Sequence, residues 1–254
     1  VQNVDYDMNY YLAAAYRKNG QPAEAKKVYD AILGLKPEEK DAYFLRGSAE
    51  LELGDYESAK ADFDKAISMD PKNYDRLIEI YEALADYGYR EVGQEYLQNV
   101  LNTDKKLDAY DSGRIYYYLG DYQKAYLALE EAKGKGGVDS YLYLGKAYAA
   151  TGDYNYASSV YSNYLSKQGP DAEIYNQLGL CELAKKDYQK ALEAFQAGKQ
   201  IEGNSLMQTL SFNEIVAYEY LQDYQKAAVL LKAYLQNYPD DQAAIREQQF
   251  LSTR

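Results

Sequence analysis

Apolar and small residues recur along the chain at the three- and four-residue spacing of a helix. In the stretch from residue 43 to residue 66, one such series precedes the tetrapeptide "LGDY" and a second follows it: Tyr43, Gly47 and Leu51, then Ala59, Phe63 and Ala66. This spacing predicts two amphipathic helices joined by a short turn. No predicted helix interior contains a proline, which would break it. The five prolines fall at joints: Pro22, Pro37, Pro71, Pro170 and Pro239.

The helix-turn-helix pattern repeats. The pentapeptide "DYQKA" begins at Asp121, Asp187 and Asp223, and looser copies begin at Asp55 and Asp153. When Gln21 and Tyr89 are aligned at the same place, successive starts are separated by 34, 34, 32, 32, 34 and 36 residues. A near-constant period in this range is typical of a helical-repeat solenoid.

Small residues mark where the two helices of each repeat approach each other. On the first helices the same place holds Ala13, Gly47, Gly113, Gly145 and Gly179. On the second helices it holds Ala25, Ala59, Ala125, Ala157 and Ala191. Glycine inside a helix costs about 1 kcal/mol relative to alanine, so its recurrence there indicates close helix contact. The third repeat reverses the sizes, with Tyr81 on the first helix and Gly93 on the second.

The pentapeptide has a structural interpretation and a binding interpretation, and we favour the structural one. The glycine before it, at Gly54, Gly120 or Gly152, suits the left-handed residue that ends a helix. The aspartate then suits the N-cap of the second helix. Pro22 follows Gln21 at the first helical position, where proline is favoured. The tyrosine after the aspartate is expected to pack at the corner between the two helices, and the Gln–Lys pair is expected to face water.

Two segments match a known family in register: "YFLRGSAELELGDYESAKADFDKAISMDP" at Tyr43–Pro71 and "YLYLGKAYAATGDYNYASSVYSNYL" at Tyr141–Leu165. They resemble the tetratricopeptide repeat family, and weaker copies extend the resemblance over residues 6–239. The resemblance implies an all-α, right-handed α-solenoid superhelix in a single domain, residues 1–254. Its about seven units would span residues 6–39, 40–73, 74–105, 106–137, 138–171, 172–207 and 208–239. Residues 240–251 look like a capping helix, with Ile245, Phe250 and Leu251 against the last unit.

Composition excludes several functions. The 254 residues carry a net charge of −12, which disfavours binding to nucleic acid and to anionic membrane surfaces. There is no histidine and a single cysteine, so the commonest general base, histidine metal ligands and disulfide pairs are missing. No apolar run approaches the ~18 residues of a membrane helix. We therefore expect no enzyme, no cofactor and no metal site.

Two local features each have a structural and a functional interpretation. Cys181, in "LGLCELA", is expected to be a buried thiol rather than a nucleophile, because no histidine activates it. The segment "KGKGG" at Lys133–Gly137 lacks the Lys-Ser/Thr ending of a phosphate-binding loop, so a flexible joint is expected.

In the family that the chain resembles, ligands usually lie in a concave groove lined by first helices. The resemblance implies a groove column here: Tyr10, Phe44, Ser48, Ile78, Glu82, Tyr110, Arg114, Tyr117, Leu142, Lys146, Asn176, Leu180 and Phe212. The Lys, Asn and Arg set with which some relatives clamp a terminal carboxylate is replaced here by Tyr, Ala, Ser and Phe. Binding of chaperone tails is therefore not expected.

One group in this column stands out. Tyr110, Arg114 and Tyr117 share a helical face, and Tyr118 adjoins them. Aromatic rings around an arginine suit stacking, cation–π contacts and recognition of a carboxylate, and both residue types are enriched at binding hot spots. The alternative is that the tyrosines pack against neighbouring repeats and Arg114 pairs with a local acid such as Asp111.

The leading functional hypothesis is a non-catalytic scaffold that holds a protein or peptide segment in its groove. The second is a ligand-sensing receptor in which a short peptide or small ligand changes the superhelix pitch, with a hinge at Gly134–Gly137. Self-association is left open. The chain begins at Val1, so a cytoplasmic location and an extracytoplasmic one with a removed export or lipid-anchor segment are equally expected. The scarcity of cysteine fits a cytosolic or an exported bacterial protein.

Overall fold

A computed structural model describes residues 6–132 and 134–252, and in these residues all regular structure is helical. The first helices of the repeats are α1 (Tyr6–Lys18), α3 (Lys40–Glu52), α5 (Tyr74–Asp86), α7 (Ala109–Tyr118), α9 (Val138–Ala150), α11 (Ala172–Ala184) and α13 (Met207–Tyr220). The second helices are α2 (Pro22–Leu35), α4 (Tyr56–Met69), α6 (Arg90–Thr103), α8 (Tyr122–Glu131), α10 (Tyr154–Gln168), α12 (Tyr188–Lys199) and α14 (Tyr224–Asn237). A last helix, α15, spans Gln242–Leu251.

The contacts between helices divide the chain into two compact units. The first unit is Val1–Leu107 and holds α1 to α6, and the second is Asp108–Arg254 and holds α7 to α15. Within each unit, both helices of a repeat pack against each other, and the second helix packs against the first helix of the next repeat. The all-α helical-repeat prediction is confirmed. Among the described residues, every helix is too short or too polar to span a bilayer.

The turns inside the repeats are built as the sequence predicts. Gly54, Gly120 and Gly152 adopt left-handed φ values of 78°, 80° and 83°. The aspartate that follows accepts a hydrogen bond from the backbone amide three residues later, as Asp223 does from Lys226 at 3.0 Å. The same capping bond is present at Asp55, Asp121, Asp153 and Asp187. The structural interpretation of the pentapeptide is thereby confirmed, and Pro22 begins α2 as expected.

Tyrosines that follow these caps pack at the corners. The ring of Tyr56 stacks on Tyr89 at a centroid distance of 4.1 Å, and that of Tyr188 stacks on Tyr220 at 4.9 Å. Such parallel pairs add dispersion contacts at the ends of neighbouring helices. They join one repeat to the next where the chain turns.

Within a repeat, the paired helices meet at the small residues. A Cβ placed on Gly113 would lie 2.6 Å from Cγ of Leu129 and 3.3 Å from the carbonyl oxygen of Ala125. In the third repeat, a Cβ on Gly93 would lie 2.9 Å from Cδ2 of Tyr81, so the exchange of sizes preserves the close approach.

The C-terminal helix differs from its prediction in one residue. Ala244 and Leu251 are buried, seven residues and two helical turns apart, and they belong to the core that α13 and α14 form. Phe250, which was expected to pack against the last repeat, is 40% exposed. That expectation was wrong because Leu251 occupies the inward direction, and adjacent residues on a helix point about 100° apart.

Candidate functional site

Four tyrosines from α7, α8 and α9 meet in the second unit. The rings of Tyr117 and Tyr118 on α7 are edge-on to Tyr143 on α9, at centroid distances of 5.5 and 5.9 Å, and Tyr122 on α8 lies 5.7 Å from Tyr117. The hydroxyls of Tyr118 and Tyr143 share a hydrogen bond of 3.0 Å. Each of the four side chains is partly exposed. We call these four residues the tyrosine cluster.

Arg114 lies on the same helix and is held by its neighbours. Its guanidinium carbon is 4.4 Å from the ring centroid of Tyr110, and its Nη2 donates to Oδ1 of Asp111 at 2.5 Å. Arg114 is only 7% exposed. The structure therefore brings Tyr110 and Arg114 together, and it also contains the pairing with Asp111 that the alternative interpretation predicts. The guanidinium of Arg114 therefore contacts residues of the site itself, and it holds the ring of Tyr110 in place.

The glycine-rich joint lies against this site. A Cβ on Gly136 would lie 2.6 Å from Cζ of Tyr110, so the backbone packs directly on that ring. Gly134, Gly136 and Gly137 have φ values of 87°, 86° and 64°, which glycine adopts without strain. The amide of Gly134 donates to Oγ of Ser140 at 3.2 Å. Lys133, the first residue of the predicted joint, lies outside the described residues.

The other predicted groove residues of the second unit have separate surroundings. Lys146 Nζ is 3.5 Å from Glu173, and the buried Asn176 accepts a hydrogen bond of 2.9 Å from Asn213. Leu142 packs against the core beneath the tyrosine cluster, whereas Leu180 is 40% exposed. The ring of Phe212 packs against Tyr234 at 5.7 Å. These side chains lie on successive first helices and do not form a single cluster.

In the first unit, the predicted column centres on Phe44. The guanidinium of Arg76 lies 4.0 Å from its ring centroid and donates to Asp41 at 2.8 Å. Ser48 is buried and donates to the carbonyl oxygen of Phe44. Ile78 is 4% exposed and contributes to the core, whereas Glu82 is exposed.

The hydroxyl of Tyr10 is buried, and among the described residues it has no hydrogen-bond partner. Burial raises the pKa of Tyr10 above its ordinary value, and the carboxylates of Glu39 and Asp41 raise it further.

Sequence reasoning missed Arg76, Asp41 and Tyr143. Arg76 repeats on Phe44 the arrangement that Arg114 makes on Tyr110, but from the following first helix. No spacing within a single helix signals such a contact. Tyr143 occupies a position on α9 that periodicity alone does not distinguish from an ordinary half-buried tyrosine.

The structure supplies little for covalent or metal chemistry. Cys181 is 3% exposed, and burial raises the pKa of its thiol to about 12, so the predicted buried thiol is confirmed. Within residues 6–132 and 134–252, no group of three or more acidic or sulfur ligands is placed to hold a metal ion.

An array of helical hairpins, in which each second helix packs on the first helix of the next repeat within a unit, defines a helical-repeat protein. The chain belongs to the tetratricopeptide repeat family: one repeat model of that family matches residues 10–74 and 142–205, and a second matches residues 212–241. Members of this family generally act as non-catalytic scaffolds that bind protein or peptide partners.

Curated relatives are longer than this chain. Tetratricopeptide repeat protein 21B of Xenopus laevis is 27% identical over 233 residues, which are 90% of this chain and 15% of that protein. The mouse FK506-binding protein-like protein is 42% identical over 62 residues, which are 24% of this chain and 18% of that protein. The chain thus spans less than a fifth of the length of these relatives. A UDP-N-acetylglucosamine–peptide N-acetylglucosaminyltransferase of Giardia intestinalis is 26% identical over 133 residues, which are 52% of this chain and 8% of that protein.

Solved structures share the fold at low sequence identity. Yeast Tom70 superposes with a TM-score of 0.65 at 16% identity, covering 93% of this chain and 54% of that one. A chain of the Cut9–Hcn1 hetero-tetramer superposes with a TM-score of 0.58 at 17% identity, covering 94% of this chain and 48% of that one. A tetratricopeptide repeat protein of Parabacteroides merdae superposes with a TM-score of 0.57 at 16% identity, covering 85% of this chain and 86% of that one. These similarities show the fold alone.

Proposed function

We propose that the chain is a non-catalytic scaffold that binds a segment of a partner protein on the first-helix face of its second unit. The tyrosine cluster, together with Tyr110 and Arg114, forms the centre of this site. The observation that carries the proposal is that rings from three helices, α7, α8 and α9, meet there while each remains partly exposed. Tyrosine buries a large rigid area at low entropic cost and keeps a hydroxyl for hydrogen bonds.

Each ring of the cluster is supported by another ring or by a hydroxyl, so its position is fixed before a ligand arrives. Preorganisation of this kind lowers the entropic cost of binding. The net charge of −12 favours a neutral or basic partner over an acidic one. One structural relative is a chain of the Cut9–Hcn1 hetero-tetramer, an assembly of two different proteins. This supports a partner-binding role for the fold.

The face of the first unit that contains Tyr10, Phe44, Ser48, Ile78 and Glu82 is part of the same proposal. It offers the ring of Phe44, but Ser48, Ile78 and the hydroxyl of Tyr10 are buried and offer little contact area. We therefore assign the second unit the larger share of the binding energy.

The test uses a phage-displayed random peptide library panned on the chain, with each selected peptide measured by fluorescence anisotropy. Tyr118→Ala combined with Tyr143→Ala should weaken binding at least tenfold, because two ring contacts and a preorganising hydrogen bond are lost. Tyr156→Ala is the matched control, since Tyr156 is a 61% exposed tyrosine of the same unit on a second helix. Peptides that bind the double variant as tightly as the native chain would overturn the site.

A double change of Tyr110 and Arg114 tests the site less cleanly. Arg114 is buried and paired with Asp111, so its replacement by glutamate places two carboxylates together and perturbs the fold. The tyrosine cluster avoids this difficulty because its side chains are partly exposed.

A second function, ligand sensing by a change in the pitch of the array, has one observation in its favour. The joint at Gly134–Gly137 packs on Tyr110, so a ligand that moves that ring also moves the joint between α8 and α9. Small-angle scattering with and without a saturating selected peptide separates the two functions. A profile that does not change under saturation excludes the sensing function and leaves the scaffold in place.

A further inference from the structure

The seventh repeat departs from its neighbours at the small-residue column of its first helix. Ile215 stands where Gly113, Gly145 and Gly179 stand in the earlier repeats of the same unit. Because its side chain is buried between the helices, α13 and α14 cannot approach as closely as the other pairs. Among the described residues, these two helices contact each other less extensively than the paired helices of any other repeat. Space is therefore left between α13 and α14.

A cavity of about 240 Å³ occupies this space. Residues at helical spacing form its walls: Met207, Ser211 and Ile215 on α13, and Leu230, Ala233 and Tyr234 on α14. Met207 and Ala233 are exposed, so the cavity opens to solvent beside them. A cavity of about 150 Å³ already holds a benzene molecule, so an aromatic ring with a short substituent fits here. We call this space the apolar cavity.

An ion pair lines one side of the apolar cavity. Lys199 Nζ, at the end of α12, lies 2.6 Å from Oε2 of Glu214 on α13. Gln196 donates a hydrogen bond of 2.9 Å to the other oxygen of Glu214. The two opposite charges cancel, so a charged ligand gains little net attraction. The ammonium group nevertheless has further N–H donors, and each carboxylate oxygen can accept more than one hydrogen bond.

A second space of about 380 Å³ adjoins the same ion pair. Lys199 and Glu214 line it together with Gln196, Ala197 and Gln200, so its side chains are mainly polar. Glutamine amides donate and accept hydrogen bonds without carrying a charge. We call this space the polar hollow. The ion pair therefore separates an apolar cavity from a polar hollow that holds no net charge.

We propose that the apolar cavity and the polar hollow together bind a small uncharged amphipathic molecule. Its apolar ring or chain fills the cavity against Ile215, Leu230 and Tyr234. Its head both accepts and donates hydrogen bonds, as a carboxamide does, because the carbonyl oxygen suits the ammonium of Lys199 and the amide suits the carboxylate of Glu214. The site lies on α12, α13 and α14 and shares no residue with the tyrosine cluster.

Four probes with the same fluorinated ring identify the class of ligand. They are 4-fluorobenzamide, 4-fluorobenzoate, 4-fluorobenzylamine and 4-fluorotoluene, whose heads are neutral and polar, anionic, cationic and apolar. Titrations followed by the fluorine NMR line width of each probe give the dissociation constants. We expect saturable binding of 4-fluorobenzamide with a dissociation constant of about 1 mM, as suits a molecule of this size. The other three should bind at least fivefold more weakly, since each lacks half of the hydrogen bonds or adds an uncompensated charge.

Variants of the chain locate the site. Ala233→Phe should weaken binding of 4-fluorobenzamide at least tenfold, because the new ring fills the open side of the cavity. Ala61→Phe is the matched control, since Ala61 is an exposed alanine of a second helix in the other unit. Ser211→Ala, which removes a hydroxyl from the wall, should weaken binding about threefold. Circular dichroism melting shows that each variant is folded, and the two positions are independent.

Four results would overturn the proposal. The first is a lack of saturable binding of 4-fluorobenzamide, and the second is binding that Ala233→Phe does not weaken. The third is tighter binding of 4-fluorobenzoate or 4-fluorobenzylamine, which would assign the site to a charged ligand. The fourth is a panned peptide that competes with 4-fluorobenzamide and binds Ala233→Phe more weakly, which would assign the cavity to a side chain of a partner protein.

This test is independent of the scaffold proposal. Tyr118→Ala combined with Tyr143→Ala should leave the affinity for 4-fluorobenzamide unchanged, because neither tyrosine lines the cavity or the hollow. A failure of peptide binding at the tyrosine cluster would likewise leave the cavity result in place.

Discussion

The ring of Phe63 on α4 occupies the space into which a side chain at Gly47 on α3 would project. A Cβ on Gly47 would lie 2.8 Å from Cε1 of Phe63 and 3.1 Å from the carbonyl oxygen of Ala59. Because one of these atoms belongs to the backbone, rotation of the phenylalanine alone does not make room. The glycine sets the distance between the paired helices.

Gly47→Ala should therefore destabilise the protein. Overpacking typically costs about 1–3 kcal/mol, and the gain in helix propensity of about 1 kcal/mol offsets only part of it. Urea unfolding monitored by circular dichroism measures the difference. Gly34→Ala is the control, because Gly34 is also helical but has no atom within 4 Å of the added Cβ. That variant should gain up to about 1 kcal/mol, and a loss at both positions would contradict the argument.

Lys186→Gly should stabilise the sixth repeat. Lys186 adopts a φ of 64° at the turn where Gly54, Gly120 and Gly152 stand in other repeats. The left-handed conformation costs about 1–2 kcal/mol for a residue with a Cβ, and glycine removes this cost. The larger backbone entropy of glycine in the unfolded chain offsets part of that gain. We expect a net gain of about 0.5–1 kcal/mol in the free energy of unfolding. Lys186→Ala, which keeps the strain, should show no such gain.

Stability should fall as the pH rises from about 4.5 to about 7. Burial raises the pKa of Glu50 and of Glu219 from 4.5 to about 7, with further contributions from Asp62 and Glu247 respectively. Between these values the folded chain holds protons that the unfolded chain has released. The stabilisation is therefore complete below the unfolded pKa and is lost as the pH passes the folded one.

Urea midpoints at pH 5, 6, 7 and 8 test this dependence. Glu219→Gln should remove part of the slope of the urea midpoint against pH. Glu219→Gln combined with Glu50→Gln should remove most of that slope. Glu57→Gln, at an exposed position of α4, should leave the slope unchanged. A double variant with the native slope would show that other groups control it.

The thiol of Cys181 should be inert in the folded protein. With a pKa raised to about 12 by burial, it holds almost no thiolate at pH 8, and it is 3% exposed. Ellman's reagent should detect no thiol in native buffer and one equivalent after unfolding in guanidinium chloride. Rapid reaction in native buffer would indicate an opening of the sixth repeat.

The turn and the helix caps of each repeat were predictable from the sequence because they depend on interactions within a few residues. Gly54 and Asp55 end one helix and begin the next through their own backbone conformation and a hydrogen bond to Ser58. The recurrence of these signals fixed the period and the helix pairs. The glycine and alanine columns then identified the contact between the two helices.

The candidate site was only partly predictable. Helical spacing places Tyr110, Arg114 and Tyr117 on one face, but it does not show that Arg114 is 7% exposed and bound to Asp111. Exposure depends on what a neighbouring helix covers, and that helix lies in another repeat. The contribution of Tyr143 from α9 and the packing of Gly136 on Tyr110 depend on the same long-range arrangement.

The sequence by itself determined that this protein is an array of helical hairpins, where each hairpin turns, and which residues bring its helices together. Its signals are short-range: a residue's φ preference, a cap, or a side chain one helical turn away. Only the tertiary structure decided which faces remain uncovered. Phe250 and Leu12 have apolar side chains like those of the core, yet they are exposed, because burial requires a neighbouring helix that no local pattern specifies.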